Sequence, residues 1–387
     1  MRIAMNFLPW REPILIKGEG SLTRLPEFIK NEGVERVLVV TDAGLMELGL
    51  LEPLFLELKK VGIAYTVYDE VVPNPTIDNI EQALSLYLAN DCKGVIAFGG
   101  GSPMDCAKAT AARAAKPRQS IPQMKGALKV HKKLPPIYAV PTTAGTGSET
   151  TLAAVVTDSA TSHKYAINDT SLIPHAAVLD PLLTVKLPKS ITSTTGMDAL
   201  CHAVEAYIGR SNTKKTRQYA REAVSLIFDN LYKAYENAED IEARHNMQNA
   251  SYLAGLAFTR AYVGYVHAIA HTIGGKYHVA HGLANAIIMP YVFKQFGSSV
   301  YKPLSELADL VGLSAQGDSL KDKSDRFIAA IESFNSRMNI GTKIPQIEED
   351  DISQLADYAV AEGNPLYPVP RIFEKAEFEE LFRRIKE

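Results

Sequence analysis

The chain has 387 residues, 46% of them apolar and 22% charged, with 41 Lys and Arg against 44 Asp and Glu. Those proportions belong to a globular chain of two to three domains that can bury large cores, which argues against disorder, fibrous repeats and disulfide-stapled scaffolds. A net charge of −3 offers no electrostatic footprint for nucleic acid or an anionic membrane, so neither is expected as a partner.

Three cysteines, Cys92, Cys106 and Cys201, are an odd number and suit a reducing compartment. The first residues, Met1-Arg2-Ile3-Ala4-Met5-Asn6-Phe7, lack the apolar core of about 7–15 residues that marks a signal peptide. The most apolar stretch, Leu283 to Phe293, contains Asn285 and Pro290 and is too short to span a bilayer. A cytoplasmic location is expected.

In chain order, Val37–Val40, Ile63–Tyr68, Val95–Phe98 and Ile137–Val140 read as strands. These β-branched runs are continuous rather than alternating, as strands buried on both faces should be. Between them, Ile77, Ile80, Leu84 and Tyr87 fall at helical spacing. Strand–helix–strand order predicts a parallel sheet covered by helices, a Rossmann-like α/β domain. The polar, basic stretch from Pro117 to Lys133 reads as an exposed loop or surface helix. After Leu187-Pro188 the strand-like runs almost vanish. Ala220, Ala223, Val224, Ile227 and Leu231 form a helical stripe, as do Leu304, Leu307, Ala308 and Val311, and Ile352, Leu355, Ala356 and Ala359. The expected organisation is an α/β dinucleotide-binding domain over residues 1–186, then an all-α metal-binding domain over 187–387. No internal repeat is present.

Four features carry chemistry. Phe98-Gly99-Gly100-Gly101-Ser102-Pro103-Met104-Asp105 closes a strand and opens a helix, where glycines admit a phosphate and Pro103 suits the first helical position. It is neither a Rossmann fingerprint, because Met104 replaces the third glycine, nor a P-loop, because no Gly-Lys-Ser/Thr follows; a plain glycine turn looks the same. Pro141-Thr142-Thr143-Ala144-Gly145-Thr146-Gly147-Ser148-Glu149 is rich in hydroxyls for sugar and phosphate oxygens, although a surface turn has similar composition. Two such segments after parallel-type strands suit a ligand at the carboxyl ends of the sheet. Asp42, directly after a strand, can accept hydrogen bonds from a ribose 2′-OH, or simply cap a helix.

The fourth feature is the histidines. Four of the nine lie between 267 and 281, namely His267, His271, His278 and His281. His267 and His271 share a helical face, and so do Asp198 and His202 upstream. Gly274-Gly275 is expected to interrupt the helix and turn the chain back. One carboxylate and several imidazoles at a point suit a borderline divalent metal such as Fe(II) or Zn(II). A zincin protease is disfavoured because Ala268 stands where its glutamate would follow the first histidine. Cys201 is expected to pack as a small apolar residue, and His278 to be structural.

These segments together resemble the iron-containing (group III) alcohol dehydrogenases over nearly the whole chain. The matching residues are Pro73-Asn74-Pro75-Thr76, Gly99 to Lys108, Pro141 to Glu149, Gly196 to Glu205, and Gly264-Tyr265-Val266-His267 through His281-Gly282-Leu283-Ala284-Asn285. The resemblance implies metal ligation by Asp198, His202, His267 and His281, with His271 near the nicotinamide and substrate as a proton relay. It implies NAD contacts from Asp42, Asn74, Gly100, Gly101, Ser102, Thr142, Thr143, Thr151, Lys164 and Leu183, with Asp42 favouring NAD over NADP. It further implies Fe(2+) or another divalent metal such as Zn(2+), a small alcohol or aldehyde substrate, and a homodimer or higher homo-oligomer. Cys201 stands where many members have Thr, and Ala280 where a Pro often precedes the last ligand. Rival readings are a glycerol-dehydrogenase-like polyol dehydrogenase, a dehydroquinate-synthase-like lyase that also uses NAD and metal, and a non-catalytic nucleotide sensor. The sensor would need a closed structural metal, which is usually cysteine-rich.

Overall fold

The computed structural model describes residues 10–159 and 163–386. They fall into two compact units, one ending at Lys186 and the other beginning at Leu187.

The first unit runs β1 (Ile14–Lys17), α1 (Leu25–Asn31), β2 (Arg36–Val40), α2 (Ala43–Glu47), α3 (Glu52–Val61), β3 (Ala64–Tyr68), α4 (Ile77–Ala89), β4 (Gly94–Gly99) and α5 (Gly101–Ala115). It continues through α6 (Ile121–Met124), β5 (Gly126–Ala127), β6 (Ile137–Pro141), β7 (Ala153–Asp158), β8 (His163–Asn168) and β9 (Ala176–Leu179). Six strands form one all-parallel sheet in the order β1-β9-β6-β4-β2-β3. Its strands feed two cores. Leu38, Val40, Val95, Ala97, Ile137 and Ala139 pack on one face, while Val37, Val39, Ile96, Phe98, Tyr138 and Val140 pack on the other. Every residue of these central runs therefore needs to be apolar, which is why the sequence shows unbroken runs rather than alternation.

Five strands lie outside the expected set: β1 and β9 in the large sheet, and the antiparallel hairpin β7–β8, which forms a second small sheet with β5. The basic stretch 117–133 is largely exposed and includes the short helix α6, in keeping with a surface loop or helix, although Ile121, Met124 and Val130 within it are buried in the core.

From Leu187 onward the described residues form no strand. The helices are α7 (Lys189–Ile208), α8 (Lys214–Glu236), α9 (Ile241–Ala261), α10 (Tyr265–Tyr277), α11 (His281–Phe296), α12 (Ser298–Leu310), α13 (Leu320–Arg337), α14 (Ile352–Gly363) and α15 (Lys375–Lys386). The stripes on α8 and α14 are wholly buried, as their spacing predicts, while Val311 lies just past the end of α12, half-buried. Gly274 and Gly275 do not break α10, contrary to expectation. The helix continues to Tyr277, and the chain turns at His278, which takes the left-handed conformation at φ 57°. No helix among the described residues is long and apolar enough to cross a membrane.

Candidate functional site

In the α/β unit, register places the ends of three strands side by side. Val40 pairs with Ala97 and Gly99 with Pro141, so Asp42, the glycine segment and the threonine segment all leave the sheet at neighbouring carboxyl ends. Asp42 caps α2, its Oδ1 accepting from the Leu45 amide at 3.0 Å. Gly99 has φ 147°, a conformation open to glycine, and a Cβ there would lie 2.6 Å from Pro103 Cγ. The helix α5 starts at Gly101, so Pro103 is its third residue rather than its first. It still lies in the opening turn, where no intrahelical partner is required.

The threonine segment is buried rather than a surface turn: Thr142 is 2% exposed and its amide donates to Gly99 O at 3.1 Å. Thr143 lies against Gly100, and Leu183 is buried in the core. Asn74, Ser102 and Lys164 are joined: the Asn74 amide donates to Ser102 Oγ at 3.1 Å, and Lys164 Nζ donates to Asn74 Oδ1 at 2.6 Å.

Beneath this surface lies a residue without an assigned role in the sequence reading. Lys108, on the second turn of α5, is fully buried. Its ammonium donates to Ser148 Oγ, Thr151 Oγ1, and the carbonyls of Thr151 and Ala153 at 2.9–3.1 Å. Burial pulls the ammonium down to about 8, opposed by the nearby Asp105 and Glu149 carboxylates, and burial pushes those two up to about 6 and about 7. Lys108 thus ties the glycine-segment helix to the segment carrying Thr151. Lys108→Met should lower unfolding free energy by about 3 kcal/mol, since its acceptors would stay buried without their cation. A denaturant titration showing a loss under about 1 kcal/mol would mean that the cation is dispensable.

In the helical unit, α7, α10 and α11 bring four predicted residues together. Asp198, His202, His267 and His281 each offer a ligand atom, and those atoms lie within 4.8 Å of one another. Asp198 Oδ1 is 3.9 Å from His267 Nε2 and 3.6 Å from His281 Nε2, and Asp198 Oδ2 is 4.0 Å from His202 Nδ1. Close approach of α11 to α7 depends on Gly282, where a Cβ would lie 2.5 Å from the Thr194 carbonyl oxygen.

Glu205, quoted above only as the end of a motif, organises the group. It sits seven residues after Asp198 and three after His202, hence on the same face of α7. Its carboxylate accepts from the Gly264 and Val266 amides at 2.7 and 2.8 Å, and from His267 Nδ1 at 2.7 Å. Donation from Nδ1 leaves the lone pair on His267 Nε2, aimed at Asp198, which is the usual arrangement behind a metal-ligating histidine. Burial, reinforced by the neighbouring histidines, drives the His267 imidazole well below its ordinary value and so keeps it neutral. Burial pushes Asp198 up, opposed first by His202, and takes Glu205 to about 8 against three hydrogen bonds. Three imidazoles and one carboxylate, converging in a largely buried place with one tautomer fixed, are a donor set that fits a divalent ion.

His271 stands beside this group. Its ring stacks on His281 at 5.2 Å, but its Nδ1 donates to Glu362 Oε1 at 2.6 Å, and Tyr367 donates to the same oxygen at 2.6 Å. Cys201 is fully buried, its thiol pushed well up by burial, with Sγ 3.8 Å from His267 Nδ1. His278 is exposed at the end of α10 and is not one of the four converging donors.

Comparison with known proteins bears on both units. Residues 13–181 match the family described as iron-containing alcohol dehydrogenase, and residues 192–386 match the Fe-containing alcohol dehydrogenase family, C-terminal. The chain is 36% identical over 355 residues to the NAD-dependent methanol dehydrogenase of Bacillus methanolicus, covering 91% of this chain and 92% of that one. It is also 36% identical over 375 residues to the 1,3-propanediol dehydrogenase of Klebsiella pneumoniae, covering 95% of each. A crystal structure of 1,3-propanediol oxidoreductase superposes with a TM-score of 0.94 at 34% identity, covering 98% of this chain and all of that one. The alcohol dehydrogenase of Oenococcus oeni gives 0.93 at 32% identity, covering 97% of this chain and 100% of that one.

Proposed function

This chain belongs to the iron-containing alcohol dehydrogenase family, and from that premise we propose that it interconverts a small alcohol and its aldehyde or ketone with NAD(H), using a divalent metal held by Asp198, His202, His267 and His281. The observation that carries the reading is the convergence of those four donors, with His267 fixed by Glu205. Fe(2+) is the ion proposed, and Zn(2+) suits the same nitrogen and oxygen donors. When bound, such an ion supplies Lewis acidity toward a substrate oxygen, and the nicotinamide supplies hydride exchange.

The chain's own residues do the rest. The backbone N–H groups of Gly101 and Ser102, at the start of α5, offer donors to a pyrophosphate, with Gly100 leaving room beside them. Asn74, Thr142, Thr143, Thr151, Lys164 and Leu183 are assigned to the remainder of the dinucleotide, with Lys108 holding the Thr151 segment in register. His271 takes or returns the alcohol proton, its orientation set by Glu362. In this reading residues 1–186 are the NAD domain and 187–387 the metal and substrate domain, in a cytoplasmic homodimer or higher homo-oligomer.

The experiment is absorbance at 340 nm with NADH, metal-loaded protein and a panel of short aldehydes. Oxidation of NADH is expected; no turnover with any member would favour the lyase or the sensor. Asp42 is assigned to the ribose 2′-OH, where a carboxylate repels a 2′-phosphate. Asp42→Gly is therefore expected to raise activity with NADP relative to NAD. Because Asp42 also caps α2, the variant should lose about 1 kcal/mol or less of stability. An unchanged NAD to NADP ratio would remove Asp42 from cofactor selection.

A further inference from the structure

The four-donor group encloses a fifth polar side chain that the ligand assignment does not use. Asn285 lies four residues after His281, on the same face of α11, and is fully buried. Its Nδ2 donates to Asp198 Oδ1 at 2.7 Å and lies 3.2 Å from His267 Nε2 and 3.1 Å from His281 Nε2. A carboxylate oxygen only accepts, so the amide group facing Asp198 must be the one that carries hydrogens. The amide oxygen Oδ1 is buried without a hydrogen-bond partner. Leaving such an oxygen unpaired is costly, so the side chain is held by what its nitrogen gains.

Atoms of three of the four proposed ligands thus converge on one –NH2 group. His267 has no second lone pair to offer, because its Nδ1 hydrogen is given to Glu205. A nitrogen lone pair cannot serve an amide hydrogen and a cation together, so for these rings the amide and an ion are alternatives.

We propose that Asn285 is a displaceable placeholder for the metal. Its amide keeps Asp198, His267 and His281 converged and competes with the divalent ion for the lone pairs of the two rings, so it sets how tightly the ion is held. The inference rests on the four-ligand reading above. Its sign is opposite to that of a residue that merely braces the ligands. A brace, when removed, weakens metal binding; a competitor, when removed, tightens it, because the chelated protein loses hydrogen bonds that the loaded protein does not need.

The test is a Zn(2+) titration of chelator-stripped protein against a competing indicator, paired with thermal melting of the stripped and loaded forms. Asn285→Ala is expected to bind Zn(2+) about 5- to 30-fold more tightly, the equivalent of losing one or two competing hydrogen bonds. Its stripped form should melt lower than stripped wild type, while the loaded forms melt alike. If the alanine variant does not fold, Asn285→Leu keeps the volume without the N–H groups and should give the same tightening. Unchanged or weaker Zn(2+) binding in whichever variant folds overturns the placeholder. The His267→Ala variant, titrated in parallel, separates the two levels. Lost binding there upholds the ligand set independently of Asn285, whereas wild-type affinity overturns the ligand set and the placeholder with it.

Discussion

His267→Ala is expected to lose bound metal and turnover together. The imidazole is 2% exposed, neutral because of burial, and aligned by a 2.7 Å hydrogen bond to Glu205. Removing it leaves Asp198 buried in the group with two imidazoles, and frees Glu205 of the hydrogen that helped hold its charge. Loss of an outer hydrogen-bond partner alone typically weakens metal binding 10–100-fold, so loss of the ligand itself should exceed roughly 10²-fold. His281→Ala should behave the same way, although it is the most exposed of the four, because its Nε2 approaches Asp198 to 3.6 Å. His278→Ala should keep both metal and activity, since that residue is an exposed helix end. Metal analysis of protein purified without chelators, alongside the 340 nm assay, decides. Stoichiometric metal retained by the His281 variant would show that the wrong histidine of the cluster has been chosen.

How much of this was legible depended on whether the signal was local. β2, β4 and β6 announce themselves because burial on both faces demands unbroken apolar runs, as at Val37–Val40 and Val95–Phe98. β3 is an edge strand with one buried residue, so it is not buried on both faces as its run suggests. β1 and β9 do not announce themselves. β1 is a four-residue edge strand with one buried position, and β9, Ala176-Ala177-Val178-Leu179, has a single β-branched residue. The β7–β8 hairpin is half-exposed and carries Thr157, Asp158, Lys164 and Asn168, so it reads as loop. The glycine pair at 274–275 misled because helix termination is set by tertiary contacts and by the left-handed His278, not by propensity alone.

The site divides along the same line. Asp198 with His202 and His267 with His271 are visible as i,i+4 pairs, and the resemblance supplies His281. Glu205 and Asn285 were equally visible by spacing, each a helical turn from a proposed ligand, but neither residue type advertises a role until its partners are seen. Glu362 is 91 residues from His271, and no spacing rule connects them. Lys108 is concealed in another way, because a lysine on a helix is normally read as solvent-exposed.

The prediction that depends most on this geometry concerns His271, which could be mistaken for a ligand. It shares a face of α10 with His267, one turn on, and stacks against His281 at 5.2 Å. Yet its Nδ1 is engaged by Glu362, which also accepts from Tyr367, so that nitrogen is not free to serve as a ligand atom. A fifth protein ligand would also occupy the open position that a catalytic metal keeps for substrate. With Nδ1 donating to a carboxylate, Nε2 carries the lone pair, and the side chain is about one-third exposed (34%), so that nitrogen can exchange a proton with substrate or water. His271→Ala should therefore bind metal as wild type does but turn over about 10²–10⁴-fold more slowly, the range that a positioned proton-transfer group contributes. Added imidazole should restore part of kcat, which a purely structural defect would not allow. Glu362→Gln keeps a hydrogen-bond acceptor but loses the charge, and should fall between the two. Metal loss in His271→Ala comparable to that in His267→Ala would make His271 a ligand and end its assignment as a relay.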